Sequence, residues 1–399
     1  MNLISNHPYW PIRNGLLHSY PPLRGSVECD VVVIGAGITG ALAAYYLTRE
    51  GFNVVVIDKR DVASGSTSAS TALIQYEVDT HLTELRDRYG ERRAMRIYQT
   101  CHRAVGKLRS LCASIDETTF AWKSSVYLAS RRRDVEGLRE EHRARRSAGI
   151  RVDWLDREEI ESRFPFSREA ALASDTAAEV DVYRLTHRLL DKAREGGARV
   201  YDRTAVELSD ATSGGVTFTT TEKETIRANW AVFATGYEVV ESLDRSLVNL
   251  NSSFAFISEP LDEFPGWWER CLLWETARPY LYMRTTTDGR IIVGGEDSRF
   301  RNPMLRDASI RKKAAKLEKR FRGMFPDIPI EPAYAWAGTF GETSDGLPYI
   351  GTLASSPRCF FSLGFGGNGI IYSLIAAEIA TARIQGKRHP DAALFQFER

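Results

Sequence analysis

Hydrophobic and polar positions divide the chain into short apolar runs, turn residues and longer amphipathic stretches. Cys29-Asp-Val-Val-Val-Ile34 is a compact β-branched run, the pattern of a parallel strand buried on both faces. Ala41–Glu50 is rich in Ala and Leu, suits a helix, and is ended by Gly51. Asn53-Val-Val-Val-Ile-Asp58 reads as a second buried strand, so strand, helix and strand lie within about 30 residues. Val200–Thr221 is β-rich with a turn at Ser213-Gly214-Gly215, and Asn229–Gly236 reads as a strand ending in Thr-Gly. Tyr183–Gly196 followed by Ala198–Tyr201 reads as one more helix and strand of the core. Tyr280–Arg284, a turn at Asp288-Gly289 and Arg290–Gly294 predict a β-hairpin. Residues 86–149 look helical and charged, and Cys359–Leu363 leads through a glycine-rich turn into an apolar helix over Ile370–Gln385.

Composition narrows the class. A chain of 399 residues holds two domains, which the pattern interleaves, and 43% apolar with 26% charged residues suits a soluble globular enzyme. The net charge of +1 points to neither nucleic acid nor a membrane surface as partner. The arginines at 131–133 and from Arg139 to Arg146 are interspersed with Glu136, Glu140 and Glu141, which reads as a solvated helix face. Cys29, Cys101, Cys112, Cys271 and Cys359 are odd in number and show no CxxC spacing, so neither a disulfide framework nor a metal site is expected. Free thiols fit a reducing, cytoplasmic compartment. No run reaches the ~18 apolar residues of a membrane span, and residues 1–23 have no apolar leader core, so they are expected to form an arm.

The chemistry begins at Gly35-Ala-Gly37-Ile38-Thr39-Gly40, a GxGxxG between strand and helix. Gly35 permits the tight turn, Gly37 lets backbone approach a pyrophosphate, and Gly40 lets helix pack on strand. The helix N-terminus offers free N–H groups to the anion. Asp58, about 20 residues on, is placed to accept from ribose hydroxyls. This predicts a dinucleotide cofactor, and the motif alone leaves NAD and FAD open. The next stretch, Ala63-Ser-Gly-Ser-Thr-Ser-Ala-Ser-Thr71, has the composition of a linker, yet it directly follows the ribose-binding strand end. Its small hydroxyl residues, Ser64, Ser66, Thr67, Ser68 and Ser70, suit contact with phosphate and ribityl oxygens. Ala69–Glu77 is expected to begin a helix facing the cofactor. That favours flavin. Thr235-Gly236 permits close approach at a cofactor edge, and Gly364, Gly366, Gly367, Asn368, Gly369 and Ile370 form a second strand–turn–helix. Its helix N-terminus suits the edge of a flavin that gains negative charge on reduction.

These segments, with Trp336-Ala-Gly338 and Asp345-Gly-Leu-Pro-Tyr349-Ile-Gly351 between them, occur in an order that resembles the FAD-dependent oxidoreductases of the D-amino-acid oxidase superfamily. The branches around glycine oxidase, sarcosine oxidase and γ-glutamylputrescine oxidase are the nearer ones, and the resemblance runs from Asp30 to Gln385. It implies an α/β chain, α+β overall, with a Rossmann-like FAD-binding domain and a discontinuous antiparallel substrate domain. The expected division is an arm at 1–23, FAD-binding segments 24–85, 150–240 and 335–399, and substrate segments 86–149 and 241–334. Lys59, Ala205, Val206 and Asp345 join the expected cofactor contacts, although Asp345 also suits its own turn.

Family members pass hydride from the carbon beside a C–N bond to flavin N5, giving an imine that hydrolyses. The implied partners are a small amine or amino acid and an electron acceptor, oxygen or another. The resemblance makes Arg284 the expected carboxylate anchor, with Tyr282 and Tyr349 beside the substrate and Tyr280 and Tyr372 as further lining. Glu342 is a candidate for a cationic amine, and His81 for approach to the ring. There are departures. Phe340 stands where glycine oxidase-like sequences have an arginine, Ile292 where a sarcosine-type lysine assists oxygen, and Gly338 where sarcosine oxidase has its flavin-linking cysteine. FAD is therefore expected to be non-covalent. Two other readings stay open. One is a flavin-binding subunit or redox sensor without turnover. The other is an alcohol oxidoreductase of the glycerol-3-phosphate dehydrogenase kind, which would need a basic phosphate pocket near Arg284.

Overall fold

The computed structural model describes residues 3–238, 247–299 and 302–399. Two sheets carry the fold. The first is centred on five parallel strands in the order Ser356–Leu363, Thr225–Phe233, Val27–Ile34, Val54–Ile57 and Arg199–Tyr201. Val31–Val33 and Val54–Val56 are fully buried, which is what apolar runs covered on both faces require. The helix Ile38–Arg49 packs against two others, Val182–Glu195 and Gly369–Ile384. Tyr349–Leu353 adds an antiparallel edge, and the meander of Val206–Ala211 and Val216–Thr220 leans on Thr225–Phe233.

Two glycines hold the first turn by close approach. Gly35 sits at φ +104°, and a Cβ there would lie 2.5 Å from the Ala234 carbonyl oxygen. A Cβ on Gly40 would lie 1.8 Å from the Gly35 carbonyl oxygen, so only glycine lets the helix meet the turn.

The second sheet has ten strands and is antiparallel except where Leu272–Glu275 runs parallel to Ala121–Leu128. The expected hairpin is there, with Leu281–Thr285 paired to Ile291–Ser298. Asn249–Ser258 and Pro332–Glu342 form its longest pairing. The helix Pro303–Met324 packs on this sheet and buries Leu317 and Phe321. The arm is part of the fold: Ile4–Ser5 pairs with Gly338 and Ala337 at the sheet edge, and the helix Tyr9–Asn14 buries Tyr9 and Trp10.

Several expectations change. Asp153–Asp156 and Ala170–Glu179, expected in the cofactor domain, belong to the second sheet, as do Leu73–Gln75 and Pro332–Glu342. Alanine-rich Ala170–Glu179 gives little periodic signal, and its place is set by pairing with Ala121–Leu128. The expected boundary at 240/241 lies outside the described residues. The predicted helix from Ala69 is instead a short helix, Ser66–Ala69, followed by the strand Leu73–Gln75. Thr71 is fixed there because its carbonyl accepts from Arg284 Nε at 2.7 Å. Residues 86–149 include the strand Ala121–Leu128. The helix Val135–Ser147 is largely exposed, yet Glu141 and Arg145 are buried and paired at 2.8 Å.

Candidate active site

The carboxyl ends of the parallel strands and the second sheet together line a cavity of about 840 Å³. Strand Val27–Ile34 delivers Gly35, Gly37, Ile38 and Thr39 to its wall, and Val54–Ile57 delivers Asp58 and Lys59. Thr225–Phe233 delivers Thr235 and Gly236, and Ser356–Leu363 leads to Gly366, Gly367, Asn368, Gly369 and Ile370. Ala205 and Val206 line it as well. Ligands of open α/β sheets bind at such strand ends.

The Ser/Thr stretch is held as a wall rather than left as a tether. Ile38 N donates to Thr67 Oγ1 at 3.0 Å. The indole of Trp336 donates to the Ala69 carbonyl at 2.8 Å, and that of Trp10 donates to the Ser70 carbonyl at 2.7 Å. Ser66, Thr67 and Ser70 face the cavity. Ser64 and Ser68 do not; their hydroxyls donate to the Val62 and Gly65 carbonyls and shape the turn.

The wall fits a dinucleotide. The N-cap residues Gly37 and Asn368 cap neither helix with a side chain, so beyond Ile38 N, which Thr67 takes, first-turn N–H groups remain for an anion. Ser66 Oγ and Thr235 Oγ1 are buried without a hydrogen-bond partner among the described residues, and both residues line the cavity. Asp58 accepts from Ala36 N at 2.7 Å and Arg60 N at 2.8 Å, which aims its carboxylate at the phosphate turn. Burial raises its pKa against those two bonds. Lys59 and Arg60 are both paired to Glu238, at 2.9 and 2.7 Å.

Other expected site residues stand elsewhere. Arg284 is outside the cavity wall and only 1% exposed. Its guanidinium donates to the carbonyls of Thr71, Val180 and Thr285, lies 3.4 Å from Glu179 and sits over the Trp10 ring. It is a buried structural arginine and not a substrate anchor. Tyr349 stacks on Phe397 and carries Arg399 over its ring, away from the cavity. Asp345 is paired to Arg399 and accepts from Tyr89, which brings its pKa to about 2 despite burial. It ties down Arg399 and is not among the cavity-wall residues. Gly364 and Gly40 shape their turns behind the wall. Tyr372 is buried behind it, and His81 bonds Tyr127 at 3.0 Å.

Tyr280 and Tyr282 do line the cavity, joined by Trp274, Ser253, Phe340 and Asp79. Asp79 was not legible in the sequence, because it lies in an irregular stretch between a strand and the helix Leu82–Tyr89. Gly367 N donates to its Oδ2 at 2.9 Å. Gly366 has φ +54°, and a Cβ there would lie 2.3 Å from the same oxygen, so the glycine turn is built around this carboxylate.

Comparison with known proteins agrees with this wall. The model of the family described as FAD dependent oxidoreductase matches residues 30–383. YhfW of Bacillus subtilis (strain 168), named for a Rieske 2Fe-2S iron-sulfur protein, is 24% identical over 97% of this chain and 74% of its own. Glycine oxidase of the same strain is 25% identical over 90% of this chain and 93% of its own. The crystal structure of glycine oxidase from Geobacillus kaustophilus superposes with a TM-score of 0.77 at 20% identity, covering 93% of this chain and 99% of that one. The chain belongs to the FAD-dependent oxidoreductase family, with FAD as its cofactor.

Proposed function

We propose that this FAD-dependent oxidoreductase oxidises a C–N bond of a small amine or amino acid. One observation carries the reading: the cavity continues from the dinucleotide cradle, without a break, to an end walled by Tyr280, Tyr282, Trp274 and Asp79. Bound FAD supplies a two-electron acceptor for the hydrogen on the carbon next to nitrogen. The substrate loses that hydride and one proton from nitrogen, and the resulting imine takes up water to give a carbonyl compound and the released amine. The chain contributes position and dryness. The aromatic walls hold the carbon chain and exclude water, and Thr39, Gly367 and Ile370 hold the cofactor side. Gly338 places no sulfur on the wall, which supports non-covalent FAD. Glycine oxidase, by its name, acts on an amino acid, and this supports the C–N class. The sensor reading gains no support from this aromatic wall, and the phosphate-ester reading none from Arg284, whose charge is buried against Glu179. The test is anaerobic visible spectroscopy of flavin-loaded protein with a panel of amines, N-methyl amino acids and D- and L-amino acids. Bleaching by one class, with a carbonyl product, is expected. No bleaching by any of them contradicts the reading.

A further inference from the structure

The far end of the cavity is acidic. Asp79 lines it beside Tyr280, with the Gly367 Cα region packed against both its oxygens and the Tyr280 hydroxyl. Asp297 lies beside Ser253, another wall residue, and its Oδ1 is buried with no hydrogen-bond partner among the described residues. Glu342 accepts from Asn251 Nδ2 at 2.8 Å and follows Gly341, whose carbonyl accepts from Gly366 N of the same glycine turn. Burial raises all three, Asp79 upward, Asp297 to about 6 and Glu342 to about 7, and the Asp79 charge adds to the rise of the other two.

Cations near the cavity are exposed or already paired. Among the described residues of the cavity wall they are Lys59 and Arg60, both turned to Glu238. Arg278 is exposed, lies over the Tyr280 ring at 4.7 Å and donates to the Asp79 carbonyl at 3.4 Å. Lys313 donates to the Glu296 carbonyl. A carboxylate ligand at this end would meet Asp79 on the wall, with Asp297 and Glu342 behind it and the exposed Arg278 at the rim. An organic ammonium would meet the Asp79 carboxyl and the rings of Tyr280, Tyr282 and Trp274, and its charge would favour the ionised form of the nearby acids.

We infer that the site selects its substrate as an organic cation, a primary or secondary ammonium on a carbon chain that needs no carboxylate, and that Asp79 is its main contact, with Asp297 and Glu342 completing the charge. This rests on the C–N reading above and narrows it. The proton that the ammonium gives up before oxidation passes to a carboxylate of this group and on to water.

The test uses flavin-loaded protein under argon, titrated with tetramethylammonium, n-butylamine and butyrate while the flavin spectrum is recorded. Both cations are expected to perturb the spectrum at least about tenfold more tightly than butyrate. Asp79→Asn keeps an acceptor for Gly367 N and is expected to weaken both cations by about ten- to a hundredfold, with FAD retained. Glu342→Gln is expected to weaken them less, and serves if Asp79→Asn fails to load FAD. Tighter binding of butyrate, or cation binding indifferent to both substitutions, overturns the inference. Cation binding that obeys these substitutions without bleaching by any amine keeps the inference and sinks the C–N reading. Bleaching by amino acids alone, indifferent to both substitutions, does the reverse.

Discussion

Arg284 shows how one side chain can look catalytic and be structural. Its sequence position, on a hairpin strand over the cavity, matches an anchor, but its length lets the guanidinium fold under the sheet to Glu179. Both partners are 1–2% exposed, so removing Arg284 leaves the buried Glu179 to Lys123 at 3.6 Å and without its guanidinium. Arg284→Met is expected to cost about 3–5 kcal/mol of stability, read by urea unfolding, while the KM of the surviving holoprotein stays unchanged. A raised KM at unchanged stability would restore the anchor role. Glu342 gives a second prediction at this scale. Its pKa rises from 4.5 unfolded to about 7 folded, because of burial and then Asp79 and Asp297. The folded state therefore holds the proton more tightly, and this contribution is full below about pH 4.5 and lost as pH rises through about 7. Glu342→Gln is expected to gain on the order of 1–3 kcal/mol over the parent at pH 8 and nothing at pH 4.5. Thermal unfolding across that range checks it; equal gain at both ends would contradict it.

At the scale of elements, the arm and the Ser/Thr wall act as one unit. Ile4–Ser5 is stitched to the sheet, Leu3 lines the cavity, and Trp10 binds the Ser70 carbonyl and lies under Arg284. Trp10→Ala is expected to cost about 3–5 kcal/mol and to loosen FAD by at least about tenfold, measured as fluorescence of released flavin. Unchanged FAD affinity would separate the arm from the cofactor. The sequence told part of this. The βαβ unit is legible because its period, glycine spacing and terminal acid agree with one another at short range. The role of Ala63–Thr71 is legible only as a contrast, small polar residues where a strand has just ended. The strand Leu73–Gln75 and the placement of Ala170–Glu179 are not legible, since their partners lie up to about a hundred residues away and pairing decides them. Asp79 falls in the same class: its meaning comes from Gly366 and Gly367, nearly three hundred residues later.

At the scale of the whole molecule, two sheets of different ancestry of pattern, one parallel and buried on both faces, one largely antiparallel, meet over a single cavity. The parallel sheet supplies the glycine turns and Asp58 to the cavity wall, and the second sheet supplies Tyr282 and Trp274. No helix among the described residues is long and apolar enough to cross a membrane. The most direct measurement is a single turnover under argon with an excess of a bleaching amine, counting carbonyl product against reduced flavin. About one carbonyl per FAD reduced is expected, since each two-electron oxidation yields one imine. Flavin that binds but is reduced by no amine or amino acid, or reduction without a carbonyl product, would contradict it.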